Sequence, residues 1–212
     1  MTSNHYFVTG TDTDAGKTYV TCLLLEALRR KGLHAAGYKP VACGDRGDAI
    51  ALHRSSDDPA LTVDEVNPVY LKMPAAPYVA ALMENKTAEV SLTAMVAGFA
   101  PLAARYEHVL VEGAGGWEVP LTEKETVADL AAALALPVIL VVNNKLGALN
   151  HTLLTLRAIK AKSLTCAGII LNHVRDERDP ASISNRAVLA QFSSVPVLLE
   201  VMHGETEIEW PL

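Results

Sequence analysis

At 212 residues the chain is long enough to bury a substantial core within one domain. Half of its residues are apolar, 20% are charged, and its 13 Gly and 11 Pro are ordinary in number, which excludes disordered, collagen-like and linker-rich classes. A formal net charge of −6 argues against nucleic acid or a membrane surface as partner, yet leaves room for a small anion held by local amides and lysines.

Residues 6–8 form a short apolar run that stops at a Gly/Thr/Asp turn and reads as a buried strand. Residues 17–31 carry Val20, Leu23, Leu24, Ala27 and Leu28 at helical spacing, with basic residues near the end and Gly32 as the stop. A second strand is predicted over residues 34–38, closed by the Lys39-Pro40 step. A polar loop over 43–48 precedes a short helix at 49–54. Further helices are predicted over 91–105, 126–134, 149–162 and 181–192, and strands over 108–111, 138–142, 168–171 and 195–201. Strands that are apolar throughout and alternate with helices imply a parallel sheet covered on both faces. The expected architecture is α/β, three-layer, in one domain over residues 1–212.

The longest apolar stretch, residues 130–142, contains Pro137 and is too short to span a bilayer. Residues 1–5 show no basic start to an apolar run, so no signal peptide is expected. Cys22, Cys43 and Cys166 are odd in number, far apart and without CxxC spacing, which suits reduced thiols in a cytoplasmic protein.

Between the first strand and first helix lies Gly10-Thr11-Asp12-Thr13-Asp14-Ala15-Gly16-Lys17-Thr18. Its Gly-Lys-Thr end matches a P-loop, whose backbone N–H groups surround phosphates at a helix N-terminus. Lys17 would reach the β- and γ-phosphates, and the Thr18 hydroxyl would ligate Mg²⁺. Five residues separate Gly10 from Gly16, one more than the usual spacing, so the loop is a variant. By itself it indicates a nucleotide, not a reaction.

Residues 109–112 form a strand that ends in Glu112, a carboxylate suited to the metal side of a P-loop. Asp48, in Gly47-Asp48-Ala49, is either a second such carboxylate or the N-cap of the helix it precedes. Lys39 follows a strand, so it is either a surface lysine or a cation at the carboxyl edge of the sheet, where α/β folds bind ligands.

Together, residues 10–18, Gly37-Tyr38-Lys39-Pro40-Val41, residues 111–117 and Lys145-Leu146-Gly147-Ala148-Leu149-Asn150-His151 closely resemble the dethiobiotin synthetase family. Asn67-Pro68, Pro74 and Pro77 fit the same family, and the likeness runs from residue 6 to about residue 174. The resemblance implies a mostly parallel, doubly wound sheet of the P-loop NTPase type. It implies ATP and Mg²⁺ as cofactors, with 7,8-diaminononanoate and CO₂ or bicarbonate as substrates. A carbamate of the diamine would be phosphorylated, and the neighbouring amine would close the ureido ring.

On that resemblance Lys17 and Lys39 stabilise charge on the phosphates and the carbamate, and Thr18, Asp48 and Glu112 hold Mg²⁺. Thr13 and Asp14 lie near the substrate amines, Cys43 stands where relatives often have a serine, and Gly115 meets the substrate by its backbone. Ala15, Gly16 and Tyr19 complete the phosphate end of the nucleotide site, while Asn172, His173, Ser194, Val195 and Glu200 surround its base. The family is homodimeric, and the segment with Leu146, Gly147 and Asn150 would take the substrate carboxylate from the partner subunit. Residues 197–202 lack the glycine and proline of the corresponding family segment. The alternative is a nucleotide-switch ATPase of the partitioning type; such proteins usually carry an extra lysine early in the loop, where this chain has Thr11, Asp12 and Thr13.

Overall fold

The computed structural model describes residues 4–177 and 179–212; residues 1–3 of the amino-terminal stretch lie outside the described residues, as does residue 178. In chain order the elements are β1 (Tyr6–Gly10), α1 (Lys17–Arg30), β2 (Ala35–Tyr38), β3 (Val41–Cys43), α2 (Gly47–Ser56), α3 (Val63–Val66), β4 (Val69–Leu71) and α4 (Pro77–Met83). They continue as α5 (Leu92–Arg105), β5 (His108–Gly116), α6 (Val127–Leu134), β6 (Val138–Asn143), α7 (Ala148–Ala161), β7 (Cys166–Asn172), α8 (Pro180–Phe192) and β8 (Val197–Val201).

Six strands form one sheet in the order β2-β5-β1-β6-β7-β8, and every pairing in it is parallel. The doubly wound, three-layer expectation is met, and alternate residues of single strands show why. In β6, Leu140 and Val142 pack with Ala148 of α7 and Leu189 of α8, whereas Ile139 and Val141 join the larger cluster containing Leu24 and Leu28 of α1. Successive side chains of a strand point to opposite faces, so a run apolar at every position needs cover on both. Among the described residues no helix is long and apolar enough to cross a membrane.

Consecutive strands β5 and β6 lie on opposite sides of β1. The strand order therefore reverses at β1, and a crevice opens beyond its carboxyl end, where doubly wound sheets bind ligands.

The predicted long elements are present, with boundaries set by capping groups. Ser91 accepts a hydrogen bond from the Ala94 N–H at the start of α5, and Thr126 forms a capping box with Asp129 at the start of α6. Four short elements, β3, α3, β4 and α4, fall where no periodic pattern was legible; none exceeds 7 residues. β3 and β4 pair as a separate two-stranded parallel ribbon beside the crevice.

At the opposite, amino-terminal edge of the sheet, His5 accepts a hydrogen bond from the Val109 N–H, and the His108 ring meets Trp210 edge-on. Burial lowers the pKa of both histidines, and His108 lowers that of His5 further. The folded chain therefore binds fewer protons here than the unfolded chain, so stability falls as pH drops through about 6.5. The thermal unfolding midpoint is expected to decline more steeply between pH 7.5 and 5.5 in the wild type than in His108→Phe; parallel profiles would contradict this linkage.

Candidate active site

β1 ends at Gly10 and α1 begins at Lys17, so residues 11–16 form the strand-to-helix turn in the crevice. The Thr11 N–H donates to the Val141 carbonyl at 3.0 Å, which ties the loop to β6. The loop then turns through two left-handed residues, Asp14 at φ +59° and Gly16 at φ +83°. Aspartate tolerates that region, whereas a Cβ on Gly16 would lie 2.0 Å from the Asn172 Nδ2. Backbone conformation and space both demand glycine there. Gly16 provides no side-chain cap, so the first amides of the 14-residue α1 stay available to an anion.

Lys17 is buried, and its ammonium donates to the Asp12 carbonyl at 3.3 Å. Burial lowers its pKa, with the nearby Lys39 charge adding to the effect. Two lysines this close are costly without an anion to share, which is what a polyphosphate provides.

Lys39 directly follows β2 and is only 3% exposed. It is not a surface lysine. Its backbone is held on both sides: its N–H donates to the Val66 carbonyl at 2.7 Å, and its carbonyl accepts from Asn67 Nδ2 at 2.8 Å. Its ammonium donates to Glu112 Oε1 at 2.6 Å, Asp48 Oδ2 at 2.9 Å and the Gly113 carbonyl at 3.3 Å. Burial opposes that charge, but the two carboxylates outweigh it and hold the ammonium pKa above its usual value. For Asp48, burial pushes the other way and Lys39 prevails, lowering the carboxyl pKa.

Asp48 is not the helix cap; Arg46 occupies that position, and Asp48 lies in the first turn of α2. Glu112 is not at a strand end, because β5 continues to Gly116, and Glu112 pairs in register with Val8 of β1. It is fully buried, with Thr18 Oγ1 donating to its Oε1 at 2.7 Å. Its other oxygen, Oε2, is buried with no hydrogen-bond partner. A carboxylate with one orphaned oxygen in the interior indicates a cation-binding position.

A cavity of about 620 Å³ brings together Thr13, Asp14, Gly16, Lys17, Thr18, Tyr19, Lys39, Cys43, Asp48 and Gly115, and Pro74 and Pro77 also line it. Gly115 takes φ +66°, and a Cβ there would meet Val119 Cγ2 at 2.8 Å. The Cys43 thiol, pushed up to about 11 by burial and then by Glu84, is neutral at ordinary pH and offers only a weak S–H donor. Ala15 is buried in the loop, and its carbonyl accepts from Asn172 Nδ2 at 2.9 Å.

The base-side predictions divide. Asn172 ends β7 with its Oδ1 buried and unpaired beside the loop. His173 Nε2 lies 2.7 Å from Glu200 Oε1, and both belong to a polar cluster with Asn144. Ser194 and Val195 are not brought to this edge. They precede β8, which runs parallel to β7, so they lie at its amino-terminal end, opposite the loop. The segment beyond β8 reaches the loop's side of the sheet instead: the Tyr19 hydroxyl donates to the Glu205 carbonyl, and His203 Nδ1 bonds the Val174 carbonyl at 2.9 Å. Leu146, Gly147 and Asn150 are exposed outside the cavity, with Gly147 at φ +90° as the N-cap of α7.

Sequence reasoning missed Asn67 and Arg46 as supporting residues. Asn67 is fully buried and holds Lys39, while Arg46 donates to Asn67 Oδ1 at 3.0 Å and to the Asn67 carbonyl at 2.6 Å. Arg46 also begins the helix that carries Asp48, so one contact fixes both partners of the Lys39–Asp48 pair.

Among the described residues no three His, Cys, Asp or Glu side chains cluster as a metal cage. Mg²⁺ takes few protein oxygens and completes its shell with phosphate oxygens and water. Thr18, Asp48 and Glu112 supply one hydroxyl and two carboxylates, and the orphaned Glu112 Oε2 fits a divalent cation.

The family profile described as an AAA domain matches residues 4–206. Among solved structures, the septum site-determining protein MinD of Pyrococcus horikoshii superposes with a TM-score of 0.62 at 21% identity, covering 95% of this chain and 82% of that one. A ParA family ATPase of Chlorobium tepidum gives 0.61 at 14%, covering 96% and 86%. At such identities the likeness establishes the P-loop NTPase fold alone. Curated relatives carry more. An ATP-dependent dethiobiotin synthetase of Akkermansia muciniphila is 50% identical over 95% of this chain and 93% of its own length. Those of an Anaeromyxobacter species (strain Fw109-5) and Cellvibrio japonicus are 45% and 44% identical, each covering 93% of this chain and 89% of the relative. With identity of this level running nearly end to end, the chain belongs to the family of ATP-dependent dethiobiotin synthetases.

Proposed function

We propose that this chain, acting as one catalytic domain, closes the ureido ring of dethiobiotin from 7,8-diaminononanoate, CO₂ and ATP, a step of biotin synthesis. The observation that carries the reading is one cavity lined by the phosphate loop, the buried Lys39 and Asp48, with Lys39 also paired to the fully buried Glu112. One amine of the substrate adds CO₂ and loses a proton, giving a carbamate. A carbamate oxygen attacks the γ-phosphorus of ATP, forming a carbamic–phosphoric anhydride and releasing ADP. The second amine then attacks the carbonyl carbon; the C–O bond breaks, and phosphate leaves with that oxygen and the electron pair.

Lys17 and the amides of residues 13–18 hold the polyphosphate. Lys39 neutralises charge on the carbamate and the transferring phosphoryl group. Thr13, Asp14 and the Gly115 backbone position the diamine, with Cys43 lining its path. Thr18, Asp48 and Glu112 would hold Mg²⁺, which when bound would screen charge on the phosphate oxygens. Asn172 and the segment after β8 enclose the base.

The assembly is a homodimer in which the exposed Leu146, Gly147 and Asn150 serve the partner's substrate carboxylate. The amino-terminal end of α7 suits that anion, and Leu146 just before it is 74% exposed. The three cysteines are free, which accords with a reducing, cytoplasmic setting. The test is phosphate release from ATP with and without diamine plus bicarbonate. Stoichiometric release with dethiobiotin is expected only when all are present; release indifferent to the diamine would favour a nucleotide-switch ATPase.

A further inference from the structure

Lys39 has three N–H donors, and all three are spent on the protein: on Asp48 Oδ2, Glu112 Oε1 and the Gly113 carbonyl. None is left for a phosphate or a carbamate. The same two carboxylates, with Thr18, are the groups that would hold Mg²⁺. The ammonium and a divalent cation cannot share Glu112 Oε1 closely, because like charges a few ångströms apart in a buried site repel strongly. We propose that the Lys39 ammonium is the resident counter-cation of the Thr18–Asp48–Glu112 site, and that Mg²⁺ displaces it toward the substrate. Metal loading thereby arms the second lysine.

Several features allow the exchange. The backbone of Lys39 is pinned by Val66 and Asn67, so the side chain can swing about a fixed root. A lysine stem has four rotatable carbons and a compact head, whereas an arginine would lock both carboxylates in a planar fork. Lys39 itself lines the 620 Å³ cavity, so its side chain has open space beside it to move into. Glu112 Oε2 is buried and unpartnered, so a cation that binds it breaks no hydrogen bond of that oxygen. The device also protects the empty enzyme: without metal, Asp48 and the buried Glu112 keep a counter-charge. It links catalytic competence to metal, since an enzyme without Mg²⁺ holds its own lysine away from the carbamate.

This inference rests on the reading of Thr18, Asp48 and Glu112 as metal ligands. The test uses Mn²⁺ alone, without nucleotide, followed by electron paramagnetic resonance, on wild type and Lys39→Met. Removal of the competing ammonium is expected to tighten Mn²⁺ binding at least tenfold. Equal or weaker binding by a folded Lys39→Met protein would overturn the exchange while leaving the ligand set intact. Failure of both proteins to bind Mn²⁺ at any site lost in Glu112→Gln would overturn the ligand reading as well. A second measurement needs no Lys39 variant. In wild-type enzyme with ¹⁵N-labelled lysines, the Lys39 ammonium resonance is expected to move with Mg²⁺ and ADP together, but not with ADP in a chelator. A resonance unmoved by Mg²⁺ and ADP would overturn the proposal.

Discussion

Lys39→Ala is expected to lower ring closure by about 10²–10³-fold, the range found when one preorganised charge donor is removed from a reacting oxyanion. The KM for ATP should change far less, because Lys17 and the loop amides remain in place. Dethiobiotin formation measured at saturating ATP and diamine checks this, and a variant within a few fold of wild type would remove Lys39 from the chemistry. The backbone at this position is anchored by Val66 and Asn67, but loss of the ammonium strands the buried Glu112, so a loss of stability should accompany the loss of activity and is read separately by thermal unfolding.

Glu112→Gln should have an effect of comparable size for a different reason. The substitution preserves shape but removes the charge that holds Lys39 at 2.6 Å in a fully buried position. Breaking a buried ion pair from one side strands the other charge, at a typical cost of about 3–5 kcal/mol. Asp48 remains as a partner, and its side chain is half exposed, so the lower end of that range is expected. Thermal or denaturant unfolding would read the loss. Activity should fall with it, together with divalent metal affinity. Unchanged stability in Glu112→Gln would mean that the Lys39–Glu112 contact contributes little to the fold.

Both expectations concern residues that were conspicuous in the sequence, yet their relationship was not. The phosphate loop was legible because its residue types are dictated locally: left-handed φ at Gly16, a lysine at the first turn, a hydroxyl after it. The long helices and apolar strands were legible because their periods differ. What local pattern could not supply was depth along a strand. Glu112 looked like the end of a strand, but β5 runs four residues further, to Gly116, and that buries the carboxylate completely. Read residue by residue, Asp48 looked equally like a cap; the start of α2 at Gly47, with Arg46 as its cap, and the contact with Lys39 exclude that role.

The base end shows the same limit. Residues 195–201 read as one strand, but Pro196 lacks an N–H, and the ladder starts at Val197, with the Pro196 carbonyl accepting from Ile169. Because β8 is parallel to its neighbour, everything before Val197 lies at the wrong edge for a ligand. Ser194 and Val195 were thus displaced by the whole length of a strand. The residues that reach the loop's edge, Met202 to Glu205, continue a segment, residues 197–202, that lacks the glycine and proline of its family counterpart. Asn67 and Arg46 act through hydrogen bonds between separate short elements, for which no sequence period exists.

In the proposed reaction ATP activates a carbamate, and phosphate leaves with a carbamate oxygen. Single-turnover reaction with freshly prepared ¹⁸O-labelled CO₂, quenched before the label exchanges with water, tests that step directly. One ¹⁸O atom is expected in each phosphate released with dethiobiotin. Phosphate free of ¹⁸O would mean that ATP is cleaved by water and would contradict the carbamate route.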